Sequence, residues 1–201
     1  MSTVIVVLGN AQLEPSILSL EGDFVGIDRG AYLLASNNIS MRYAIGDFDS
    51  VSSVEFENIQ IHAFEIIKLN QEKDESDFEA AISYLDEYDE VIVYGHWGNR
   101  FDHSIVNLRI LCRNPHMTFI DPFNKVKVVN QGNYQINKDD YQYLSIFTNE
   151  NANVSLSGVK YPLENQALSK NDLFTLSNEI IDEFATLEVH SGQIMIIQSK
   201  D

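Results

Sequence analysis

Two aspartates flank a phenylalanine in Gly46-Asp47-Phe48-Asp49-Ser50, directly after the apolar run Tyr43-Ala44-Ile45. In extended backbone, residues i and i+2 point the same way, so Asp47 and Asp49 are placed to face one ligand while Phe48 turns back into packing. Hard cations such as Mg2+ take oxygen ligands, typically one or two carboxylates completed by waters and substrate phosphates. A Gly-Asp turn capped by its own carboxylates is also common, so the motif alone leaves both readings open. A second acidic stretch, Glu72-Lys73-Asp74-Glu75-Ser76-Asp77, opens a helical pattern in which Ser76 and Glu79 have capping-box spacing. The helix dipole favours a carboxylate at Asp77 in any case. If Asp47, Asp49, Asp74 and Asp77 share one rim, however, they repel and raise one another's pKa unless a cation bridges them.

The densest cluster is GHWGNRFDHSIVN, residues 95–107. Gly95 and Gly98 allow close backbone approach, and Arg100 offers a planar donor fork suited to phosphate oxygens. Asp102 and His103 open the next helix, where free N–H groups favour an anion, and Asn107 lies about one turn further in. A helix capped by Asp102 with a surface arginine is the alternative account. Trp97 either stacks on a base or covers the loop.

These clusters need a frame that brings them together. The runs Val4–Leu8, Phe24–Ile27, Tyr43–Ile45, Glu65–Leu69, Val91–Tyr94 and Met117–Ile120 are short and apolar without alternation, as strands buried on both faces of a parallel sheet are. Helical patterns lie between several of them. One starts at Ser76 and runs through Phe78, Ala81, Ile82 and Leu85; another runs from about Asp102 to Leu111, before Asn114-Pro115 stops it. Alternation of this kind predicts an α/β domain, a doubly wound and mostly parallel sheet over residues 1–122. Ligands of such sheets bind beyond the carboxyl ends of the strands. Polar clusters follow five of the strands: Gly9-Asn10, Asp28-Arg29-Gly30, the Asp47–Asp49 motif, the acidic stretch and the Gly95–Asn107 segment.

After Asp121-Pro122 the texture changes to short β-prone runs, Val126–Val129, Tyr141–Phe147, Val154–Leu156, Phe174–Leu176, Thr186–Val189 and Ile194–Ile197. TLEVHSGQIMII reads as a hairpin with its turn at Ser191-Gly192. Residues 123–201 are therefore predicted to form an antiparallel β-sandwich.

Several classes are excluded. A formal charge of −17 over 201 residues argues against nucleic acid as a partner, since phosphate-backbone binding rests on clustered Lys and Arg. MSTVIVVLGN lacks the pattern of a signal peptide and no stretch is long enough to cross a bilayer, so a cytoplasmic location without membrane attachment is expected. The single cysteine, Cys112, rules out an intrachain disulfide framework and reads as a small buried hydrophobe on a helix. Neither a Walker-type phosphate loop nor a G-x-G-x-x-G turn is present, nor a G-x-S-x-G elbow. His62, His116 and His190 show no metal-ligand spacing. An acidic, arginine-bearing rim suited to Mg2+ and a polyphosphate remains.

In this order and spacing, GIDRGA (26–31), IGDFDS (45–50), EKDESDFEAA (72–81) and GNRFDHSIVN (98–107), followed by SLSGVKYPL (155–163), LSNE (176–179) and VHSGQIMII, resemble the thiamine pyrophosphokinases. The resemblance implies Mg2+-dependent transfer of pyrophosphate from ATP, as co-substrate, to the thiamine hydroxyl, giving thiamine diphosphate and AMP. It also implies a homodimer with active sites between subunits. Carried over to this chain, Asp47, Asp49 and Asp77 are metal and triphosphate-site acids, with Arg100 and Asp102 completing the catalytic set. Asp28, Asp74, Ser76, Arg100, His103 and Asn107 fall on the ATP side, and Ser177 and Asn178 on the thiamine side. Ser76 stands where threonine is commoner, Arg29 where glycine is frequent, and His96-Trp97 where small residues are usual. A pyrophosphokinase acting on a hydroxymethyl-pterin and a non-catalytic nucleotide or thiamine binder are the alternatives.

Overall fold

The computed structural model describes residues 2–14, 17, 19–72 and 74–201, so Lys73 of the acidic stretch lies outside the described residues. The chain divides into two compact units, Met1–Ile110 with Phe119–Asp121, and Leu111–Thr118 with Pro122–Asp201.

The first unit follows the order β1 (Thr3–Val7), β2 (Asp23–Ile27), α1 (Arg29–Ser36), β3 (Met41–Gly46), α2 (Ser53–His62), β4 (Ala63–Lys68), α3 (Asp77–Ala81), β5 (Glu90–Tyr94), α4 (Phe101–Arg113) and β6 (Met117–Ile120). The strands lie in the order β4-β3-β2-β1-β5-β6. β1 pairs in parallel with β2 and β5, β2 with β3, and β3 with β4. Val6 therefore sits between Val25 and Val93, and Val4 to Val7 are fully buried, as an unalternating apolar run predicts. Helix α1 turns Ala31, Leu34 and Ala35 onto the sheet at helical spacing, where they join Ile5, Val7, Met41, Ala44 and Ile59 in one core. At the sheet edge, β4 is only half buried: Phe64 is exposed and carries the Arg42 guanidinium 4.9 Å over its ring.

Two helix details differ from expectation. The helix opening at Ser76 has only five α-helical residues before it tightens into a 3-10 turn, Ile82–Tyr84, ahead of the buried Leu85. A complete capping box sits instead on α2, where Ser52 N donates to Glu55 Oε2 at 2.8 Å and Glu55 N to Ser52 Oγ at 3.4 Å. No helix among the described residues is long and apolar enough to cross a membrane.

The second unit holds β7 (Asn124–Val129), β8 (Gly132–Asn137), β9 (Tyr143–Phe147), β10 (Ala152–Ser157), β11 (Leu163–Leu168), β12 (Phe184–Ser191) and β13 (Ile194–Ser199). β13 pairs antiparallel with β7 and β9, while the order β11-β10-β12-β8 forms a second antiparallel sheet. Both contribute to one core, with Leu144, Ile146 and Ile196 from the first and Val154, Leu156, Leu187 and Val189 from the second, so the unit is the predicted β-sandwich.

Two sequence expectations are corrected here. Thr186–Ile197 is not a hairpin: β12 pairs with β10 and β8, and β13 with β7 and β9, so Ser191-Gly192 carries the chain from one sheet to the other. Phe174–Leu176 is not a strand but a turn segment with Phe174 and Leu176 exposed, fastened to β9 where Ile146 N donates to Thr175 O at 3.3 Å and Ser177 N to Ser145 Oγ at 2.9 Å. Strands β8 and β11 escaped prediction because few of their residues are buried, Ile136 in one and Leu168 in the other.

Candidate active site

In the first unit the strand order reverses at β1, whose neighbours β2 and β5 are followed by connections on opposite sides of it. The crevice beyond the carboxyl ends at such a point is where open α/β sheets bind ligands. A cleft of about 270 Å³ lies there. Leu8, Gly9 and Asn10 line it from the end of β1, Ile27 and Asp28 from β2, and Gly95 from β5, while Glu75 to Phe78 enter with α3, and His103 and Asn107 with α4.

The acids converge at its rim. Among the described residues, Asp28, Asp47 and Asp49 each offer a carboxylate oxygen within 4.8 Å of the others, a spacing fit for one cation. The Asp47–Asp49 stretch is not extended. Phe48 takes a left-handed φ of 59°, buries its ring edge-on against Phe56 at 5.1 Å, and leaves Asp47 Oδ1 to accept Asp49 N at 3.0 Å. Turn and acidic cluster thus coexist: the turn is the device that puts both aspartates on one side.

Asp28 joins them from the neighbouring strand end. Its backbone N–H donates to Ile45 O at 2.8 Å, and its φ of 49° with ψ of −120° is a conformation costing a non-glycine residue on the order of 1–3 kcal/mol. Oδ2 accepts Ser50 Oγ–H at 2.7 Å, whereas Oδ1 is buried without a hydrogen-bond partner. Burial pushes the Asp28 carboxyl above the ordinary aspartate range, and the negative charges of Asp77 and Asp47 push the same way, against donation from Ser50 and the Arg29 backbone N–H. The sequence reading assigned Asp28 to the nucleotide and Asp77 to the cation. In the structure Asp28 completes the tight triad, and Asp77 faces the same cleft close enough to act on Asp28.

The other predicted residues divide. Ser76, Asp77, His103 and Asn107 line the cleft; Asp74 is exposed and does not. Ser76 Oγ caps α3 by accepting Glu79 N at 3.2 Å. Asn107 is buried, its Nδ2 donating to His96 O at 2.9 Å. Arg100 and Asp102 bond to each other in an exposed bidentate pair, Nε to Oδ1 at 2.9 Å and Nη2 to Oδ2 at 2.6 Å, which holds the Asp102 carboxyl well below its usual range. In the second unit, Ser177 has a φ of 56° and Asn178 is buried. The Asn178 side chain is spent on the backbone of Tyr161, donating to its carbonyl at 2.8 Å and accepting its N–H at 3.0 Å. Asn10, Glu75 and Phe78 line the cleft although the sequence assigns them no site role, Asn10 only marking a polar strand end. Cys112 is half buried and accepts Asn149 Nδ2 at Sγ at 3.0 Å.

His96 does not line the cleft but is buried, its ring packed against Trp97 and Phe119 at ring distances of 4.8 and 4.6 Å. Burial lowers its pKa from 6.5 to about 4 despite Asp121 at 3.9 Å. The folded chain thus binds this proton later than the unfolded chain as pH falls. Stability from the neutral ring is fully present above 6.5 and is lost as pH drops from 6.5 towards 4, by up to about 3 kcal/mol. Urea unfolding across that range should show a shallower decline for His96→Phe than for the parent chain; parallel declines would refute the assignment.

The family described as "Thiamin pyrophosphokinase, catalytic domain" matches residues 19–120, and "Thiamin pyrophosphokinase, vitamin B1 binding domain" matches residues 133–194. The curated thiamine pyrophosphokinase of Bacillus subtilis (strain 168) is 29% identical over 214 residues, with all of both chains covered. A solved thiamine pyrophosphokinase structure from Bacillus subtilis superposes with a TM-score of 0.89 at 26% identity, and a thiamin pyrophosphokinase family protein from Enterococcus faecalis with 0.86 at 28%, each over 100% of both chains. With matches to both domains following one another along the chain, the protein belongs to the thiamin pyrophosphokinase family and is an enzyme of that kind.

Proposed function

We propose that the chain transfers a pyrophosphoryl group from ATP to the hydroxyl of thiamine, yielding thiamine diphosphate and AMP, in an Mg2+-dependent reaction. The observation that carries this reading is the carboxylate triad at the rim of a cleft lying at the strand-order switch. The donor set fits a hard cation: all ligand atoms are carboxylate oxygens, and three carboxylates this close together carry a repulsion that a cation would relieve. Asp28, Asp47 and Asp49 would hold Mg2+, with Asp77 lining the same cleft. When bound, Mg2+ supplies positive charge that offsets the phosphate oxygens.

The residues of the chain then position the reactants, which is most of what this kind of transfer requires. The Ser76 hydroxyl accepts Glu79 N and keeps its proton for a phosphate oxygen. Arg100, exposed beside the cleft-lining His103, exchanges Asp102 for a phosphate and offsets the charge that develops there. The thiamine oxygen attacks the β-phosphorus, the bond from that phosphorus to the α-phosphate bridging oxygen breaks, and AMP departs. The hydroxyl proton passes to a carboxylate or imidazole at the rim, for which Asp47, Asp102 and His103 are the candidates.

In the second unit, Ser177 contributes to the thiamine side. Asn178 acts there by fixing the Tyr161 backbone rather than by direct donation. We place the enzyme in the cytoplasm, where ATP is available, as a homodimer. Leu173, Phe174, Leu176 and Ile181, exposed by 59% or more along one turn segment, supply apolar surface for association.

Purified protein supplied with ATP, thiamine and Mg2+ should release AMP and thiamine diphosphate in equal amounts. ADP as the nucleotide product would overturn the transfer mode, and turnover of a hydroxymethyl-pterin in place of thiamine would overturn the acceptor.

A further inference from the structure

The Asp47–Asp49 turn is held to the rest of the first unit by side chains that the reaction itself does not use. Arg29, at the start of α1, donates through Nη1 to the carbonyl oxygen of Ser50 at 3.2 Å and reaches Glu55 Oε1 through Nη2 at 3.5 Å. Glu55 is already committed to the cap of α2, accepting Ser52 N at 2.8 Å, so Arg29 ties the turn to two helix starts at once. On the other side of the turn, Phe48 is anchored in the core against Phe56. Between these anchors the Ser50 hydroxyl points at Asp28, donating to Oδ2 at 2.7 Å.

A serine hydroxyl has one proton to give. Here it goes to Asp28 Oδ2, which keeps a second lone pair for a ligand, while Oδ1 is buried. Without that bond the Asp28 carboxylate keeps only the Arg29 backbone N–H as a donor, and the short distances to Asp47 and Asp49 are held less firmly.

We propose that Ser50, braced by Arg29, is a positioning residue that fixes the Asp28 carboxylate beside Asp47 and Asp49 and thereby sets the cation affinity of the triad. This rests on the functional reading above, in which the three carboxylates hold Mg2+. Groups that orient a metal's carboxylate ligands typically change its affinity by about 10–100-fold when removed, and Ser50 stands in that relation to Asp28.

The test titrates Mn2+ into the nucleotide-free full chain, followed by electron paramagnetic resonance, with Mg2+ competition. Ser50→Ala should bind Mn2+ at least about 10-fold more weakly, while Ser50→Thr, which keeps the hydroxyl, should bind as the parent does. Arg29→Gln should weaken binding in the same direction by a smaller factor. In turnover, Ser50→Ala should lower kcat and raise the Mg2+ requirement while leaving the thiamine KM unchanged. If Ser50→Ala fails to fold by circular dichroism, Ser50→Cys, close in shape and a weak donor, is read in its place. Parent-like Mn2+ affinity in the hydroxyl-deleted variant, where Asp49→Asn abolishes binding, overturns the positioning role alone. Mn2+ binding that is absent from the parent or untouched by Asp49→Asn overturns the cation reading and this proposal together.

Discussion

Asp49→Asn is expected to fold normally and to lose turnover by about 10³-fold or more, the scale set by several kcal/mol of charge stabilisation at the transition state. Asp49 is exposed at the rim, and its backbone N–H, which the substitution leaves intact, is what closes the turn onto Asp47 Oδ1. The fold therefore has little to lose. It also stands to gain, because one negative charge leaves a cluster whose oxygens lie within 4.8 Å of one another. The signature is a divergence: activity collapses while the unfolding midpoint, measured without divalent cation, stays level or rises. Asp47→Asn should lose activity comparably, whereas Asp74→Asn, exposed and outside the cleft, should turn over close to the parent rate. Parent-like turnover in both Asp47→Asn and Asp49→Asn would end the catalytic assignment of the triad.

What the sequence makes legible here is what local patterns determine. Val4 to Val7 announce a strand buried on both faces because nothing in them is polar, and α4 ends at Arg113 just ahead of Asn114-Pro115. Pairing over distance is another matter. Thr186–Ile197 has the local chemistry of a hairpin, yet its two strands join different sheets, a choice made by β10 and β7 far away in sequence. β8 and β11 were missed because a strand with one wet face and few apolar residues looks like a loop. At the site, the aspartates of the 47–49 motif are adjacent in sequence and easily paired by eye. Asp28 joins them only because β2 lies beside β3 with Ile27 level with Ile45, a register that single residues do not disclose. For the same reason the sequence places Arg100 and Asp102 side by side in the catalytic set without disclosing that two residues of spacing at a helix start let them bond to each other.

Gly30→Ala is expected to destabilise the chain by about 3 kcal/mol or more, a fall in melting temperature of roughly 6–12 °C for a protein of this size. Gly30 lies in the first turn of α1, where a Cβ would sit 2.0 Å from the carbonyl oxygen of Val7 and 2.6 Å from its carbon. Both are backbone atoms at the end of β1, so no side chain can swing aside. The helix must lift from the sheet, and Ala31, Leu34 and Ala35 must loosen from the core they share with Ile5 and Val7. Gly98→Ala is the control. There the obstructing atoms belong to the Asn10 side-chain amide, 2.2 Å from a built Cβ, and an exposed amide can rotate away at little cost. Thermal unfolding of the two variants should therefore separate widely, although both add one methyl group beside the same cleft. The displacement in Gly30→Ala also carries Asp28, two residues upstream, away from Asp47 and Asp49. Its Mn2+ affinity should accordingly fall even at temperatures where it remains folded. Equal melting temperatures for the two variants would show that α1 rides on β1 less closely than the backbone contact at Val7 requires.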